Sequence, residues 1–67
     1  MSEKFFAVRL RLARTAARVS QRELAERAGI SLGALRDYEQ GRYEPIYSRI
    51  AALAAALGVS PAELFPP

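Results

Sequence analysis

The sequence predicts an all-α fold, a compact bundle of five short helices, and three observations carry that prediction. Apolar residues recur at helical intervals along most of the 67-residue chain. Serine and glycine stand where helices would start and stop. No stretch alternates apolar and polar residues over four or more positions in the way a half-buried strand does.

Each element follows in order. Phe6, Leu10, Ala13 and Ala17 form an apolar stripe with Arg9, Arg11, Arg14 and Arg18 off it, which predicts a first helix over residues 4–18. Ser20-Gln21-Arg22-Glu23 is a capping box, in which the serine hydroxyl accepts from the third amide and Glu23 reaches back to the serine amide. Leu24, Ala25 and Ala28 are the buried stripe of this second helix, and Gly29 ends it. Ser31 caps a third helix, Leu32 to Gln40, with Leu35 and Tyr38 facing inward and Gly41 as its stop. Two helices of about two turns joined by a short glycine-containing connection are a helix-turn-helix, here over residues 20–40. Pro45 opens a fourth segment, in which Ile50, Leu53, Ala54 and Leu57 share a face and Gly58 closes it. Ser60-Pro61-Ala62-Glu63 opens a fifth, with Leu64 and Phe65 to bury.

Composition narrows the function. The chain reads as one domain, residues 1–67, with no linker, repeat or low-complexity tract. It has no cysteine and no histidine, and its carboxylates are scattered singly, so no catalytic residues, metal site or cofactor is expected. No apolar run approaches the roughly 20 residues that span a bilayer, and the charged start is no secretory signal, so a cytoplasmic location and no membrane partner are expected. A binding protein fits better than an enzyme. Residues 1–42 hold nine Lys/Arg against five Asp/Glu, whereas residues 43–67 hold one Arg against two Glu. Nine of the ten cations are arginine, whose fork matches phosphate oxygens and guanine edges.

The runs SQRELAERAGISLGALRDYEQGRYEP and IAALAAALGVSPAELF resemble the Xre/Cro/C1-type helix-turn-helix domain of phage repressors and small bacterial regulators, over about residues 6–65. Its markers are Gln21, Leu24-Ala25, Gly29, Glu39 with Gly41, Pro45 and the closing LGVSPAELF. The resemblance implies a sequence-specific double-stranded DNA-binding protein, a transcriptional regulator of repressor type, with the third helix in the major groove. It places the base-reading positions on Ser31, Leu32, Gly33, Arg36 and Asp37. Arg36 matches guanine O6 and N7, Ser31 a base or phosphate, and Leu32 a thymine methyl, while Gly33 offers close approach. Many relatives carry long polar side chains at Leu32 and Gly33, so this chain has fewer direct hydrogen bonds to offer. The resemblance gives phosphate binding to Gln21, at the positive end of the second helix, and to the loop Gln40-Gly41-Arg42-Tyr43, through amides freed at the glycine and two side chains. It also implies a structural ion pair between Arg14 and Glu39. The other arginines, Arg11, Arg18, Arg22 and Arg27, read as ordinary surface residues.

The implied partner is a palindromic DNA operator bound by a homodimer, since such domains gain affinity from two half-sites about 34 Å apart. Helix five and the end of the alanine-rich helix four are the expected dimer surface. The alternative is an antitoxin or other protein-interaction module whose DNA binding is secondary, with Phe5, Val8 and Leu12 as its contact surface.

Overall fold

The computed structural model describes residues 5–64, which form four α-helices and one 3-10 turn: α1 Phe5–Ala16, α2 Gln21–Ala28, α3 Leu32–Glu39, α4 Tyr47–Leu57 and the turn Pro61–Leu64. The local chemistry sets most of these ends. Ser20 Oγ accepts from the Glu23 amide and the Glu23 carboxylate accepts from the Ser20 amide, each at 3.0 Å, so α2 starts on a complete capping box. Ser31 caps α3 by accepting from the Ala34 amide at 3.0 Å. Gly29 and Gly58 end α2 and α4 in the left-handed conformation.

Three expectations need correction. The fifth helix is a single 3-10 turn, Pro61–Leu64: the Ser60 side chain accepts from the Ala62 amide, the Glu63 carboxylate from the Ser60 amide, and the Glu63 amide donates to the Ser60 carbonyl three residues back, the i to i+3 bond of the tighter helix. The first helix stops at Ala16 rather than residue 18, because Arg18 takes a left-handed φ of 59° and turns the chain toward α2. Ala17 is therefore exposed and leaves the apolar stripe. In the segment that Pro45 opens, the fourth helix itself runs from Tyr47, with Ile46 as its N-cap. Phe65 lies outside the described residues.

One apolar core holds the elements together. Phe6, Leu10, Val19, Leu24, Ala25, Leu35, Ile50, Leu53, Ala54, Leu57 and Leu64 make a single cluster, with Ala13, Ala28 and Tyr38 packed against it. The helix α1 lies against both α3 and the 3-10 turn, α2 against α3 and α4, and α4 against the turn. The result is that α3 is held from two sides, by α1 and α2, and presents its remaining face outward. No helix among the described residues is long and apolar enough to cross a membrane.

Candidate nucleic-acid interface

The centre of the site is a carboxylate out of water. Glu39, the last residue of α3, is 2% exposed and is the buried charged residue of the described chain. A buried carboxylate has to be matched by donors. Arg14 Nε donates to Glu39 Oε2 at 2.6 Å and Arg14 Nη2 to Oε1 at 3.3 Å, a two-pronged pair. Gln21 Nε2 donates to Glu39 Oε1 at 3.0 Å. Arg14 Nη1 also donates to the Val19 carbonyl at 3.0 Å, and Arg11 to the Glu39 carbonyl. These contacts join α1, the turn before α2, α2 and the end of α3 around one group, and no buried side-chain polar atom among the described residues is left without a partner.

The same network reaches the surface. With its NH2 turned to Glu39, Gln21 points its carbonyl oxygen the other way, where it accepts from Arg36 Nε at a longer 3.4 Å. The terminal nitrogens of Arg36 have no partner among the described residues, so an exposed guanidinium is held at its neck with its fork open. The amides of Gln21 and Arg22 likewise have no acceptor there, at the positive end of α2.

Ser31, Gly33 and Arg36 are exposed and Leu32 half-buried, all on the first turns of α3. The Ser31 oxygen is used by its own helix, which leaves the hydroxyl hydrogen as what it can offer outward. Asp37 and Arg42 are brought together, with Arg42 Nη1 donating to Asp37 Oδ1 at 3.3 Å across the end of α3. Gln40 and Tyr43 are exposed.

The loop after α3 differs from the expectation in one respect. Gly41 adopts a left-handed φ of 75°, which glycine tolerates best, but its amide is not free. Gly41 N–H donates to the Tyr38 carbonyl at 3.2 Å and Arg42 N–H to the Asp37 carbonyl at 3.0 Å, closing the last turn of α3. With these two amides used, what the loop offers outward is side chains, the exposed Arg42 and Tyr43 among them.

Three arginines escaped the sequence reading. Arg11 reaches the Glu39 carbonyl, Arg49 donates to the Tyr38 hydroxyl at 3.1 Å, and Arg9 donates to the Glu63 carbonyl at 3.0 Å. Arg11 could have been found, since it stands three residues before Arg14 and so shares its helix face. On α1, Phe5 and Leu12 are exposed and Val8 half-buried, with the Arg9 guanidinium 5.8 Å from the centre of the Phe5 ring.

Two helices set at a turn, braced by a third, with an open arginine fork on the outer face of the second, define a helix-turn-helix protein. The chain belongs to the helix-turn-helix domain family, which matches residues 6–65, and within it to the Xre/Cro type. Among solved structures it is similar to the restriction-modification controller protein C.AhdI from Aeromonas hydrophila, at 38% identity and a TM-score of 0.86, over 90% of this chain and 91% of that one. It is similar also to the clp gene regulator ClgR from C. glutamicum, at 37% identity and a TM-score of 0.84, over 88% of this chain and 77% of that one. No curated protein matches it.

Proposed function

We propose that this chain is a transcriptional regulator of repressor type that binds specific double-stranded DNA with α3 in the major groove. The observation that carries the reading is the chain of contacts from Arg14 through Glu39 and Gln21 to Arg36. It holds an open guanidinium fork on the outer face of α3, the arrangement that pairs with guanine O6 and N7. Both solved relatives are named as a controller and a gene regulator, which supports the same class.

In this reading Ser31 donates to a base or phosphate, Leu32 and Gly33 meet apolar base edges, and Arg36 reads guanine. Asp37 can accept from a cytosine amino group, and it holds Arg42 in the free protein. Gln21, with the α2 amides, takes one phosphate, and Gln40, Arg42 and Tyr43 beside Gly41 take another. The whole chain acts as one reading domain in the cytoplasm and performs no catalysis.

A molecule of 30 × 23 × 22 Å is shorter than one turn of DNA, about 34 Å, so one copy covers one half-site. A homodimer through the end of α4 and the 3-10 turn, on a palindromic operator, completes the reading. Those elements carry Ala55, Ala62 and the half-buried Ala56, with the half-buried Val59 between them.

Selection of bound duplexes from a random DNA pool, followed by affinity measurements across a salt series, tests it. An enriched palindrome bound with a steep salt slope is expected. Arg36→Ala is expected to lose about 1–3 kcal/mol of discrimination at one base position. Equal weakening on every sequence would make Arg36 a phosphate contact instead. A second reading, an antitoxin-like protein-interaction module, draws on Phe5 at 39% and Leu12 at 55% exposure. Weak binding without any enriched sequence would favour it.

A further inference from the structure

A side-chain hydrogen bond joins the end of α3 to the start of α4. Arg49, the third residue of α4, donates from Nη1 to the Tyr38 hydroxyl at 3.1 Å, and both residues are half-buried. No carboxylate among the described residues pairs with this guanidinium, which meets a neutral phenol instead. Stability alone is served as well by an apolar side chain, which needs no partner.

The bond spans a loop that has little else to hold it. α3 packs on α1 and α2, while α4 packs on α2 and the 3-10 turn, so residues 40–46 pass between two elements with different main partners. Every residue of that stretch is exposed or half-buried, and none belongs to the apolar core. The loop is therefore held from its ends. At the α3 end, the Gly41 and Arg42 amides donate back to the Tyr38 and Asp37 carbonyls. At the α4 end, Ile46 is an N-cap without a side-chain bond, in contrast to the serines that cap α2 and α3. The contact of Arg49 with Tyr38 ties the second end to the first and closes residues 38–49 into a ring.

We propose that Arg49 is a positioning residue for DNA binding: through its bond to Tyr38 it holds the loop Gln40–Tyr43 against the end of α3, so that Arg42 and Tyr43 are in place before the duplex arrives. This rests on the DNA-reading role of α3 and on the phosphate role given to that loop. Side chains ordered in the free protein do not have to be ordered by binding, which strengthens the grip without adding a base contact. Base preference stays with Arg36, which is braced from Gln21 and Glu39 on the side of α1 and α2. Arg49 thus sets how tightly the domain holds, and Glu39 where α3 points.

The test separates the bond from the charge. A duplex enriched from a random pool by the wild-type chain is titrated with Tyr38→Phe, which removes the hydroxyl alone, with Arg49→Met and with the double variant, under conditions where urea denaturation shows each folded. Tyr38→Phe is expected to bind roughly threefold to tenfold more weakly, the scale of one or two side chains that binding must now order. Its order of preference among single-base variants of the duplex and its salt slope should match wild type. Arg49→Met should lose about as much, and the double variant no more than either. With Arg42→Ala and Tyr43→Ala already present, neither change should weaken binding further, because no loop side chain remains to be positioned. Should Arg49→Met fail to fold, Tyr38→Phe decides by itself. Wild-type affinity in folded Tyr38→Phe would overturn the proposal and leave the bond to stability. So would a full loss persisting in the Arg42→Ala, Tyr43→Ala background. A salt slope shallower by about 0.9 in Arg49→Met alone would also overturn it, by making Arg49 a phosphate contact in its own right. Failure to enrich any duplex would overturn the DNA-reading role itself, and this inference with it.

Discussion

Where α1 meets α3, a buried glutamate, two arginines and a glutamine hold the helices together; where α2 meets α4, leucine, isoleucine and alanine do so. The two junctions constrain their helices differently. Apolar burial is non-directional and tolerates small rotations, while a carboxylate with donors from two helices fixes both the angle and the register of α3. The polar junction lies directly behind the outer face of α3, and the apolar one lies away from it. The contrast implies that stability is spread through the core, whereas the aim of the recognition helix is concentrated in Glu39.

The strongest way to break the comparison is at that residue. Glu39→Ala leaves Arg14 half-buried and unmatched, and breaking such a pair costs about 3–5 kcal/mol. A chain of this size is stable by only about 3–10 kcal/mol, so urea denaturation should show most of the stability gone. Replacing both partners, Arg14→Met with Glu39→Leu, should restore stability to within roughly 1 kcal/mol of wild type, because an apolar pair needs no matching. The restored protein should still discriminate poorly among duplexes, since Gln21 has lost its anchor and Arg36 its brace. Leu53→Ala supplies the opposite case. Leu53 is fully buried on α4, and the substitution should cost about 2–5 kcal/mol in urea denaturation. Under conditions where Leu53→Ala is still folded, its sequence preference should match wild type. A changed preference would show that the apolar junction also aims α3.

The same contrast explains what was legible in the sequence. The ends of α2 at Ser20 and Gly29 and the start of α3 at Ser31 depend on contacts within four residues, so a local reading finds them. Residues of the α4 stripe follow from helical period alone. The end of α1 was not legible, because arginine rarely takes the left-handed conformation that Arg18 adopts. Buried Ala7 was missed because α1 packs on two partners, α3 and the 3-10 turn, which widens its buried arc beyond one stripe. Arg14 and Glu39 were named only through resemblance to a family. The orientation of the Gln21 amide and the contact of Arg11 with the Glu39 carbonyl depend on how three helices cross, which no spacing along the chain encodes.

A smaller effect sharpens the comparison at the start of α2, where the polar contacts are exposed rather than buried. Ser20→Ala removes the cap and should cost about 1 kcal/mol, measured by thermal or urea denaturation. Its effect should depend on pH. The Ser20 amide, and then the Ser20 hydroxyl, hold the Glu23 carboxyl below the ordinary glutamate range. A carboxyl whose folded-state pKa is lowered stabilises the fold above its unfolded pKa, about 4.3, and loses that contribution as pH falls through the lowered value. Wild type and Glu23→Gln should therefore differ near neutral pH and converge in acid. A constant difference across that range would remove Glu23 from the cap.

The smallest expected stability change falls on the exposed pair at the other end of the reading helix. The Arg42 side chain is 67% exposed and that of Asp37 32%, so their 3.3 Å contact is screened by water and contributes at most about 1 kcal/mol. Asp37→Asn should leave the denaturation midpoint nearly unchanged, in contrast to Glu39→Ala two residues away. Its consequence should appear on DNA instead. Removing the carboxylate releases Arg42 and takes a negative charge away from the loop proposed to meet phosphate, so affinity at low salt should rise. If the released guanidinium gains one phosphate, the slope of log affinity against log salt should steepen by about 0.9. An unchanged slope would mean that Arg42 already reaches the backbone in the wild-type complex, and that the ion pair with Asp37 exists only in the free protein.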